Sequence, residues 1–288
     1  MNKLDTNISM VTAFYDLGRG EWKGFKRSAD DYFNTFANLA KMENDMVVFV
    51  ANEEHKERVL KLRENRKTTV IVYDLIKEKA DLIKRVKEVL FNPDYRAKVL
   101  PELIENGNIE YFHAEYNVVN FAKTFFVNYA IENNLTEHEQ IAWVDFGIDR
   151  DGKFFAGLTN WKYDFTPDKI NFFNIVRAKY IPPFNTEEQV FRFMYENIVY
   201  ICGGVIAGNK KAWQEFNAYL YPTIDEILAK NVIDDDQGIY IYCYWKRPDL
   251  FKVRYVGARW KIENIVKLNN QNTFGYKVRQ ILRKLSLI

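Results

Sequence analysis

The fold class follows from one stretch of sequence, Ile141-Ala142-Trp143-Val144-Asp145-Phe146-Gly147. A short, β-rich apolar run of this kind is typical of a buried strand in an α/β sheet. The run ends in an acid and a glycine, and open α/β sheets bind ligands just outside the carboxyl ends of their strands. We therefore expect Asp145 to lie at a ligand-binding edge of such a sheet.

Strand-like and helix-like segments alternate on both sides of this stretch. The pattern predicts further strands at residues 9–14, 46–51, 68–74, 200–208 and 239–245. It predicts helices at 29–42, 53–64, 80–103 (interrupted at Asn92-Pro93), 116–133, 186–197 and 210–230, and a less regular segment at 149–184. Such alternation indicates βαβ units, and hence a single Rossmann-like α/β domain with a mostly parallel central sheet flanked by helices.

The composition is that of an ordinary globular protein. The chain has 288 residues, of which 48% are hydrophobic, so it can bury a sizeable core. Its 41 basic and 39 acidic residues leave a net charge of only +2, which argues against a dedicated nucleic-acid binder. Aromatic residues make up 16% of the chain, which suits a cleft for sugars or bases but is also typical of AT-rich genomes.

The cysteines and histidines indicate neither a zinc site nor a disulfide framework. Cys202 and Cys243 lie in separate apolar runs, and the three histidines are isolated in sequence. The N-terminus has no apolar signal core, and no run of 18 apolar residues occurs. We expect a cytoplasmic protein.

Two later segments combine glycine and acid. Gly203, Gly204 and Gly208 surround a predicted strand that turns into a helix, where small residues let a substrate approach the backbone or, alternatively, allow tight packing. Asp234-Asp235-Asp236-Gln237 precedes the predicted strand at 239–245. This cluster is either a set of catalytic carboxyl groups or a solvated cap of the next element.

Three basic residues are candidates for binding a diphosphate: Arg19, Arg27 and Lys123. Arginine pairs with phosphate oxygens through two N–H groups at once. Asn117, Asn120 and Lys123 follow one another at a spacing of three, which puts them on one face of a helix. That face either binds the ligand or points to solvent.

The tripeptide Asp145-Phe146-Gly147 also occurs in protein kinases as a metal-binding motif. Kinases require in addition a glycine-rich loop, a Val-Ala-Ile-Lys-like strand and a His-Arg-Asp loop upstream. None of these is present in the sequence, which excludes a kinase.

Three segments resemble the bacterial HtrL/YibB family, and the resemblance covers most of the chain. They are Val11-Thr12-Ala13-Phe14-Tyr15-Asp16-Leu17-Gly18-Arg19-Gly20-Glu21-Trp22, Asn44-Asp45-Met46 and Trp143-Val144-Asp145-Phe146-Gly147. The order of strand-acid-Gly, Gly-rich turn and acid-Gln cluster also resembles nucleotide-sugar glycosyltransferases of the GT-A kind. Members of the family lie among genes for lipopolysaccharide core or other surface glycans.

The resemblance implies a GT-A-like, hexosyltransferase-like enzyme that uses a UDP- or GDP-linked sugar. The implied acceptor is a glycan of lipopolysaccharide, lipooligosaccharide or capsule, in free or lipid-linked form. Residues 9–150 would form the nucleotide-binding half and 151–275 the acceptor half. A non-catalytic nucleotide- or glycan-binding protein on the same fold is the alternative.

The resemblance also implies roles for individual residues. The donor would contact Thr12, Ala13, Phe14, Tyr15, Arg19, Asp74, Asn117, Asn120, Lys123, Asp145, Phe146 and Gly147. Asp236, Gln237 and Asp235 would be catalytic, because a carboxylate stabilises the oxocarbenium-like transition state, and Gly203, Gly204 and Trp161 would bind the sugar or acceptor.

Asp145 would in addition bind Mn²⁺ or Mg²⁺, which neutralises the diphosphate. The usual pattern is Asp-x-Asp, and here Gly147 stands at the third place. Either Asp149 or Asp151 substitutes for the missing acid, or metal binding is weak or absent.

Residues 276–288 are predicted to form a basic amphipathic helix. Its apolar face consists of Val278, Ile281, Leu282, Leu285 and Ile288, with Lys277, Arg279, Arg283 and Lys284 around it. Such a helix can lie on the inner face of the cytoplasmic membrane as a peripheral contact, or it can dock on the protein as an ordinary terminal helix.

Overall fold

Strands from both halves of the chain pair in one sheet. The structure, a computed structural model, describes residues 6–22, 26–155, 157–257 and 261–284. The strands are β1 (Ile8–Phe14), β2 (Met46–Val50), β3 (Thr68–Val72), β4 (Gln140–Val144), β5 (Ile170–Asn174), β6 (Val205–Asn209) and β7 (Phe251–Tyr255). Their order is β3-β2-β1-β4-β6-β5-β7, and β6 runs antiparallel to both of its neighbours. The prediction of a mostly parallel α/β sheet flanked by helices is confirmed.

Helices cover both faces of this sheet. They are α1 (Ala29–Leu39), α2 (Glu53–Leu62), α3 (Leu75–Glu78), α4 (Ala80–Leu90), α5 (Pro93–Arg96), α6 (Pro101–Glu105), α7 (Ala114–Glu132), α8 (Glu187–Tyr195), α9 (Lys210–Ala229), α10 (Asp236–Lys246), α11 (Asn264–Leu268) and α12 (Phe274–Lys284). Side-chain caps set several starts: Ser28 forms a capping box with Asp31 at α1, and Asn209 accepts from Ala212 N–H at α9.

The alternation of side chains along the strands builds two cores. Val11 and Trp143 point to the face that α7 and α9 cover, whereas Met10 and Val144 point to the face that α1 covers. The central strands β2 and β4 are buried along their whole length, as expected for parallel strands covered on both faces.

The strand order locates the ligand-binding edge. β1 pairs with β2 on one side and with β4 on the other. The chain therefore adds β2 and β3 on one side of β1 and then crosses over to add β4 on the other side. In doubly wound sheets the crevice at the carboxyl ends of two such strands, here β1 and β4, is where ligands bind. Asp145 follows β4 directly, and Tyr15 follows β1.

The predicted strand at 239–245 is wrong, because these residues belong to α10. Asp235 begins the helix by accepting a hydrogen bond from Gln237 N–H. Residues 238–243 are all buried, so this part of the helix is enclosed around its whole circumference. A short apolar run of this type does not distinguish a buried helix from a buried strand.

Other boundaries also differ from the prediction. The strand predicted at 200–208 begins only at Val205, so Gly203 and Gly204 lie in the loop before it. β5 and β7 were not predicted, and β5 lies within the segment that was expected to be irregular. The helix predicted at 80–103 consists of three pieces, α4, α5 and α6, two of which begin at a proline.

The terminal helix α12 contacts the body of the protein through polar side chains. Arg279 Nη2 donates to the carbonyl oxygen of Leu268 at 2.7 Å, and the Tyr276 hydroxyl lies 3.4 Å from Asp164 Oδ1. Of the predicted apolar face, the structure describes Val278, Ile281 and Leu282, and Ile281 is 57% exposed.

Part of the predicted amphipathic helix lies outside the described residues. The side chains of Arg283 and Lys284, and residues 285–288 with Leu285 and Ile288, are not among the described ones. Within the described part of the chain, none of the helices has the length and apolarity that crossing a bilayer requires.

Candidate active site

A cavity of about 950 Å³ lies at the carboxyl ends of β1 and β4. Of the residues to which the resemblance assigns a role, twelve line it: Ala13, Phe14, Tyr15, Arg19, Asn120, Lys123, Asp145, Phe146, Gly147, Gly203, Gly204 and Gln237. Arg27, the further diphosphate candidate, and Asp151, a candidate substitute for the missing acid, line it too. The strand ends that the sequence marked therefore meet at one place. The volume is in the range of small-ligand sites.

Six predicted site residues do not line the cavity, and they require correction. Thr12 is fully buried within β1 and is not among the residues that line the cavity. Asp74 is exposed and caps α3 by accepting from Lys77 N–H at 3.1 Å. Asn117 is buried and donates through Nδ2 to the carbonyl oxygen of Glu110 at 2.9 Å.

Trp161 is the clearest of these corrections. It is fully buried in the core on the α1 side of the sheet. Its indole N–H donates to the carbonyl oxygen of Asn269 at 2.5 Å, and its backbone N–H donates to Asn44 Oδ1 at 2.8 Å. A sugar cannot stack on a ring that is enclosed in this way, so Trp161 is a packing residue.

Lys123 connects the two acids that the sequence marked as most important. Its ammonium group lies 3.1 Å from Asp145 Oδ1 and 2.5 Å from Asp236 Oδ2, and it donates to the carbonyl oxygen of Gly203 at 3.0 Å. These three acceptors match the three N–H donors of an ammonium group. Lys123 thus binds the protein rather than solvent, and the solvent-facing alternative for this helix face is wrong at this position.

The charge of Lys123 is fixed by its surroundings. Burial alone lowers the pKa of this lysine, but the carboxylates of Asp145 and Asp236 outweigh the effect and raise it above the usual value. The ammonium group stays protonated over the whole physiological range. It therefore acts as a permanent cation beneath the cavity.

Asp145 is the carboxylate that faces the cavity from the end of β4. Its side chain is 39% exposed. Oδ1 accepts from the indole N–H of Trp143 at 2.7 Å and from Lys123. Two donors fix the carboxylate in one orientation, and Oδ2 lies toward Gly204, 3.3 Å from the position where a Cβ on that glycine would be.

Asp236 lies behind the cavity wall rather than in it. A Cβ on Gly203 would lie 2.1 Å from Asp236 Oδ2, so the glycine is needed for this close approach. Burial raises the pKa of Asp236 to about 7, against the lowering effect of Lys123. Asp236 is not among the residues that line the cavity, and it forms its ion pair with a lining residue, Lys123.

The other acids of the cluster form a buried layer under the start of α10. Asp235 caps this helix, and Glu110, Asp234 and Asp235 bring carboxyl oxygens within 4.8 Å of one another. Burial and the charge of Asp235 raise the pKa of Glu110 to about 9, so it holds a proton at neutral pH. Glu110 could not be recognised from the sequence, because it lies more than 100 residues from the aspartates.

Three arginines also line the cavity: Arg19, Arg27 and Arg150. Arg27 is stacked with its guanidinium carbon 4.0 Å from the centre of the Tyr32 ring, and its Nη2 donates to Thr35 Oγ1 at 2.8 Å. Sequence reasoning missed Arg150, although its position five residues after Asp145, in the same strand-end loop, was a usable signal.

Gln237 contributes an unsatisfied polar atom. It lines the cavity beside Gly203. Its side-chain Oε1 is buried and has no hydrogen-bond partner among the described residues. A buried acceptor of this kind is costly unless a ligand satisfies it. A hydroxyl group of a bound ligand would do so.

A search of solved structures finds a loose similarity in fold. Mouse xyloside xylosyltransferase 1, in its apo form, superposes with a TM-score of 0.41 and 13% sequence identity. The superposition covers 86% of this chain and 84% of the mouse chain.

The sequence relatives are much closer. Protein HtrL of Escherichia coli (strain K12) is 35% identical over 285 residues, which cover 96% of this chain and 98% of that protein. The family model of the bacterial proteins of unknown function HtrL_YibB matches residues 6–264. The resemblance that the opening motif and the β4 segment indicated is thereby confirmed, and the chain belongs to the HtrL/YibB family.

Proposed function

We propose that this protein is a glycosyltransferase, hexosyltransferase-like, that moves a sugar from a nucleoside diphosphate donor to a surface glycan. The observation that carries the proposal is the lining of the cavity at the β1–β4 switch point, which combines a fixed carboxylate, Asp145, with three arginines. A nucleotide sugar has the matching polarity, with hydroxyl groups at one end and a diphosphate in the middle.

The donor would lie with its base and ribose against the end of β1 and its diphosphate on the arginines. Ala13, Phe14 and Tyr15 supply a largely apolar wall at that strand end. Arg19, Arg27 and Arg150 supply guanidinium groups, whose planar N–H groups match phosphate oxygens. UDP- and GDP-linked sugars share this diphosphate chemistry.

The sugar would then lie between Asp145, Gln237 and the Gly203-Gly204 loop. Asp145 and the unpaired Oε1 of Gln237 are acceptors for sugar hydroxyl groups. The two glycines present no side chain to the cavity, so a sugar ring can approach the backbone. This arrangement favours a polyhydroxylated ligand over an apolar one.

The reaction follows from these contacts. The bond between the anomeric carbon and the phosphate oxygen breaks, and its electron pair passes to the diphosphate. The hydroxyl oxygen of the acceptor forms the new bond to that carbon, and its proton leaves with the diphosphate. Asp145 stabilises the positive charge that develops at the sugar, and the arginines stabilise the charge on the leaving group.

Lys123 and Asp236 are positioning residues in this mechanism. Lys123 holds Asp145 Oδ1 at 3.1 Å, and Asp236 holds Lys123 at 2.5 Å. The buried ion pair fixes where the catalytic carboxylate stands, since neither partner can relax into water.

The predicted Mn²⁺ or Mg²⁺ at Asp145 does not fit the residues around it. These ions require several oxygen ligands, whereas one oxygen of Asp145 is already shared by Trp143 and Lys123. Of the two candidate substitutes, Asp149 is buried and accepts from Phe154 N–H at 3.0 Å, and Asp151 forms an exposed ion pair with Lys153. We therefore assign no step to a metal ion.

The acidic groups elsewhere do not change this conclusion. Asp45, Glu137 and His138 form a second cluster with ligand atoms within 4.8 Å of one another. They precede β2 and β4, however, and so lie at the amino ends of the strands, opposite the cavity.

The non-catalytic alternative is favoured by one feature, the glycine at position 147 in place of the second acid. A panel of UDP- and GDP-linked sugars in thermal-shift assays is the first test, with nucleoside monophosphates as controls. We expect selective stabilisation by the diphosphate compounds, worth about 2.7 kcal/mol at a hundred times Kd. If none of the panel stabilises the protein, the proposal fails. Binding without release of nucleoside diphosphate in the presence of glycan acceptors would favour the non-catalytic alternative.

The acceptor side of the proposal includes the membrane. A lipid-linked glycan is assembled at the inner face of the cytoplasmic membrane, and the basic helix α12 would bring the protein there. Reversing the charges of Arg279, Arg283 and Lys284 should then weaken binding to anionic vesicles by about a hundredfold or more, at about 1 kcal/mol for each residue. A wild-type protein that does not bind such vesicles would show that α12 is only a docked helix.

A further inference from the structure

The geometry points to a donor site that holds the diphosphate without a divalent cation, on the guanidinium group of Arg27 in the space above Gly147. The inference rests on the glycosyltransferase function proposed above. It assigns to an arginine of this chain the charge neutralisation that a bound metal ion supplies in an Asp-x-Asp site.

The contact between Arg27 and Gly147 is the first argument. A Cβ on Gly147 would lie 2.8 Å from Nη1, 2.9 Å from Nη2 and 3.1 Å from Cζ of Arg27. The guanidinium group therefore occupies the volume where the side chain of a second acid would begin. The exchange of acid for glycine at this place is explained by the cation that rests on it.

The second argument is that Arg27 is held firmly but not neutralised. Stacking on Tyr32 and the hydrogen bond to Thr35 attach it to α1, and Thr35 is itself buried. The described residues place no carboxylate within ion-pair distance of Arg27. Burial lowers the pKa of Arg27, and the charges of Arg150 and Arg19, which line the same cavity, lower it further. An anion bound beside Arg27 would offset this repulsion.

The third argument comes from the other side of the site. A divalent ion bound to Asp145 Oδ1 would share that oxygen with the Lys123 ammonium group, whose Nζ lies 3.1 Å from it. Two cations on one carboxylate oxygen repel each other strongly when they are partly buried. A diphosphate has the opposite preference, because its charge is attracted by Arg27 and Lys123 alike.

Calorimetric titration of the full chain with UDP and with GDP tests the inference. The protein is first stripped with EDTA and then measured in EDTA, in Mn²⁺ and in Mg²⁺. We expect the Kd of the preferred diphosphate to agree within about threefold under the three conditions. In parallel, the spin-resonance signal of free Mn²⁺ should not decrease when protein and diphosphate are added.

Each failure has its own meaning. Binding that requires Mn²⁺ or Mg²⁺, or that tightens tenfold or more with it, overturns the metal-free site and leaves the glycosyltransferase proposal intact. If neither diphosphate binds under any of the conditions, both proposals are overturned.

Variants of Arg27 test whether its guanidinium group binds the diphosphate. Arg27→Gln should weaken diphosphate binding in EDTA by about ten- to a hundredfold, as expected for a hydrogen bond to a charged group, and Arg27→Lys should recover part of the loss. Arg58→Gln is the matched control. Arg58 also stacks on a ring of α1, Phe33, at 3.8 Å, but it pairs with Asp30 and lies outside the cavity lining. Equal affinities of Arg27→Gln and wild type would overturn the assignment.

The glycine provides an independent test. Gly147→Ala adds a single methyl group that must displace the guanidinium of Arg27, and it should weaken diphosphate binding by about tenfold. Gly275→Ala is the control, because a Cβ there has no atom within 4 Å among the described residues. An unchanged Kd for Gly147→Ala, with the fold verified by circular dichroism, would show that Arg27 does not hold the diphosphate from above Gly147.

Discussion

The cavity wall and the layer beneath α10 carry opposite charges. The wall exposes the guanidinium groups of Arg19, Arg27 and Arg150, whereas the layer buries the carboxyl groups of Glu110, Asp234, Asp235 and Asp236. Lys123 lies between the cavity and the layer, where it contacts Asp145 at the cavity and Asp236 in the layer. The comparison indicates two different roles. The buried acids hold Lys123, and through it Asp145, in position, whereas the arginines face the ligand.

The largest effect is expected when the ammonium group of Lys123, which contacts both the cavity and the buried acids, is removed. Lys123→Met leaves Asp236 buried without its partner, and breaking a buried ion pair from one side costs about 3–5 kcal/mol. Urea denaturation at pH 7 should show a loss of this size. The control is Lys211→Met, since Lys211 also lies 3.1 Å from an aspartate, Asp168, but is 70% exposed. Its loss should stay below about 1 kcal/mol.

A similar loss of stability in both lysine variants would show that the buried Lys123–Asp236 pair matters no more to stability than an exposed ion pair. A partial recovery in the double variant Lys123→Met/Asp236→Leu would strengthen it, because an apolar pair can replace a buried ion pair of similar volume.

The second prediction concerns the pH dependence of the buried layer. The pKa of Glu110 is raised from its unfolded value to about 9 by burial and by Asp235. Such a group contributes its full stability below the unfolded pKa, and the contribution is lost as the pH rises toward the folded value. Between pH 5 and pH 9 the wild type should therefore lose stability, at up to about 1.4 kcal/mol per pH unit for one carboxyl group.

Glu110→Gln should flatten this slope. The amide keeps an oxygen for Asn108 and Asn197, which donate to Glu110 Oε1, and it cannot ionise. At pH 8 we expect a gain of about 1–3 kcal/mol over the wild type in urea denaturation, with little difference at pH 5. An unchanged slope would show that Glu110 is not the group that titrates.

The sequence predicted the first four strands and the cavity because these depend on local patterns. Apolar runs with an acid at the carboxyl end, such as the one before Asp145, identify both the strand and its functional edge. Twelve of the residues to which the resemblance assigns a role accordingly lie around one cavity. The same reasoning was wrong for 239–245, because a helix that is buried on all sides has a short run of mostly apolar residues, as a buried strand has.

What the sequence could not predict depends on contacts between distant segments. Glu110 joins Asp234 and Asp235 only through the packing of α7 and its flanking turn against α10. The role of Gly147 becomes visible only with Arg27, 120 residues earlier, above it. Trp161 was predicted to bind the sugar only because indole rings can stack on sugars, and its complete burial excludes this contact.

The third prediction examines whether Asp236 acts on catalysis through Lys123. Burial raises the pKa of Asp236 to about 7, so its ionised form, which holds Lys123, increases as the pH rises through that value. Sugar transfer by the wild type should rise over the same range. Asp236→Asn should lower kcat by about ten- to a hundredfold, change the KM for the donor less, and remove the limb of the pH profile near pH 7. A variant that loses kcat but keeps this limb would show that another group titrates there.

The smallest expected effect separates the carboxylate that faces the ligand from the buried ones. Asp145→Asn keeps a group that accepts from Trp143 and leaves Lys123 paired with Asp236, so the stability should change by less than about 1 kcal/mol. Because Asp145 is proposed to contact the sugar and not the diphosphate, the Kd of the nucleotide sugar should rise by about tenfold while that of the free nucleoside diphosphate stays the same. Asp151→Asn is the control, as Asp151 lines the same cavity but is 61% exposed and pairs with Lys153. Weaker binding of both ligands to Asp145→Asn would instead place this carboxylate at the diphosphate, and the assignment of Asp145 to the sugar would then be wrong.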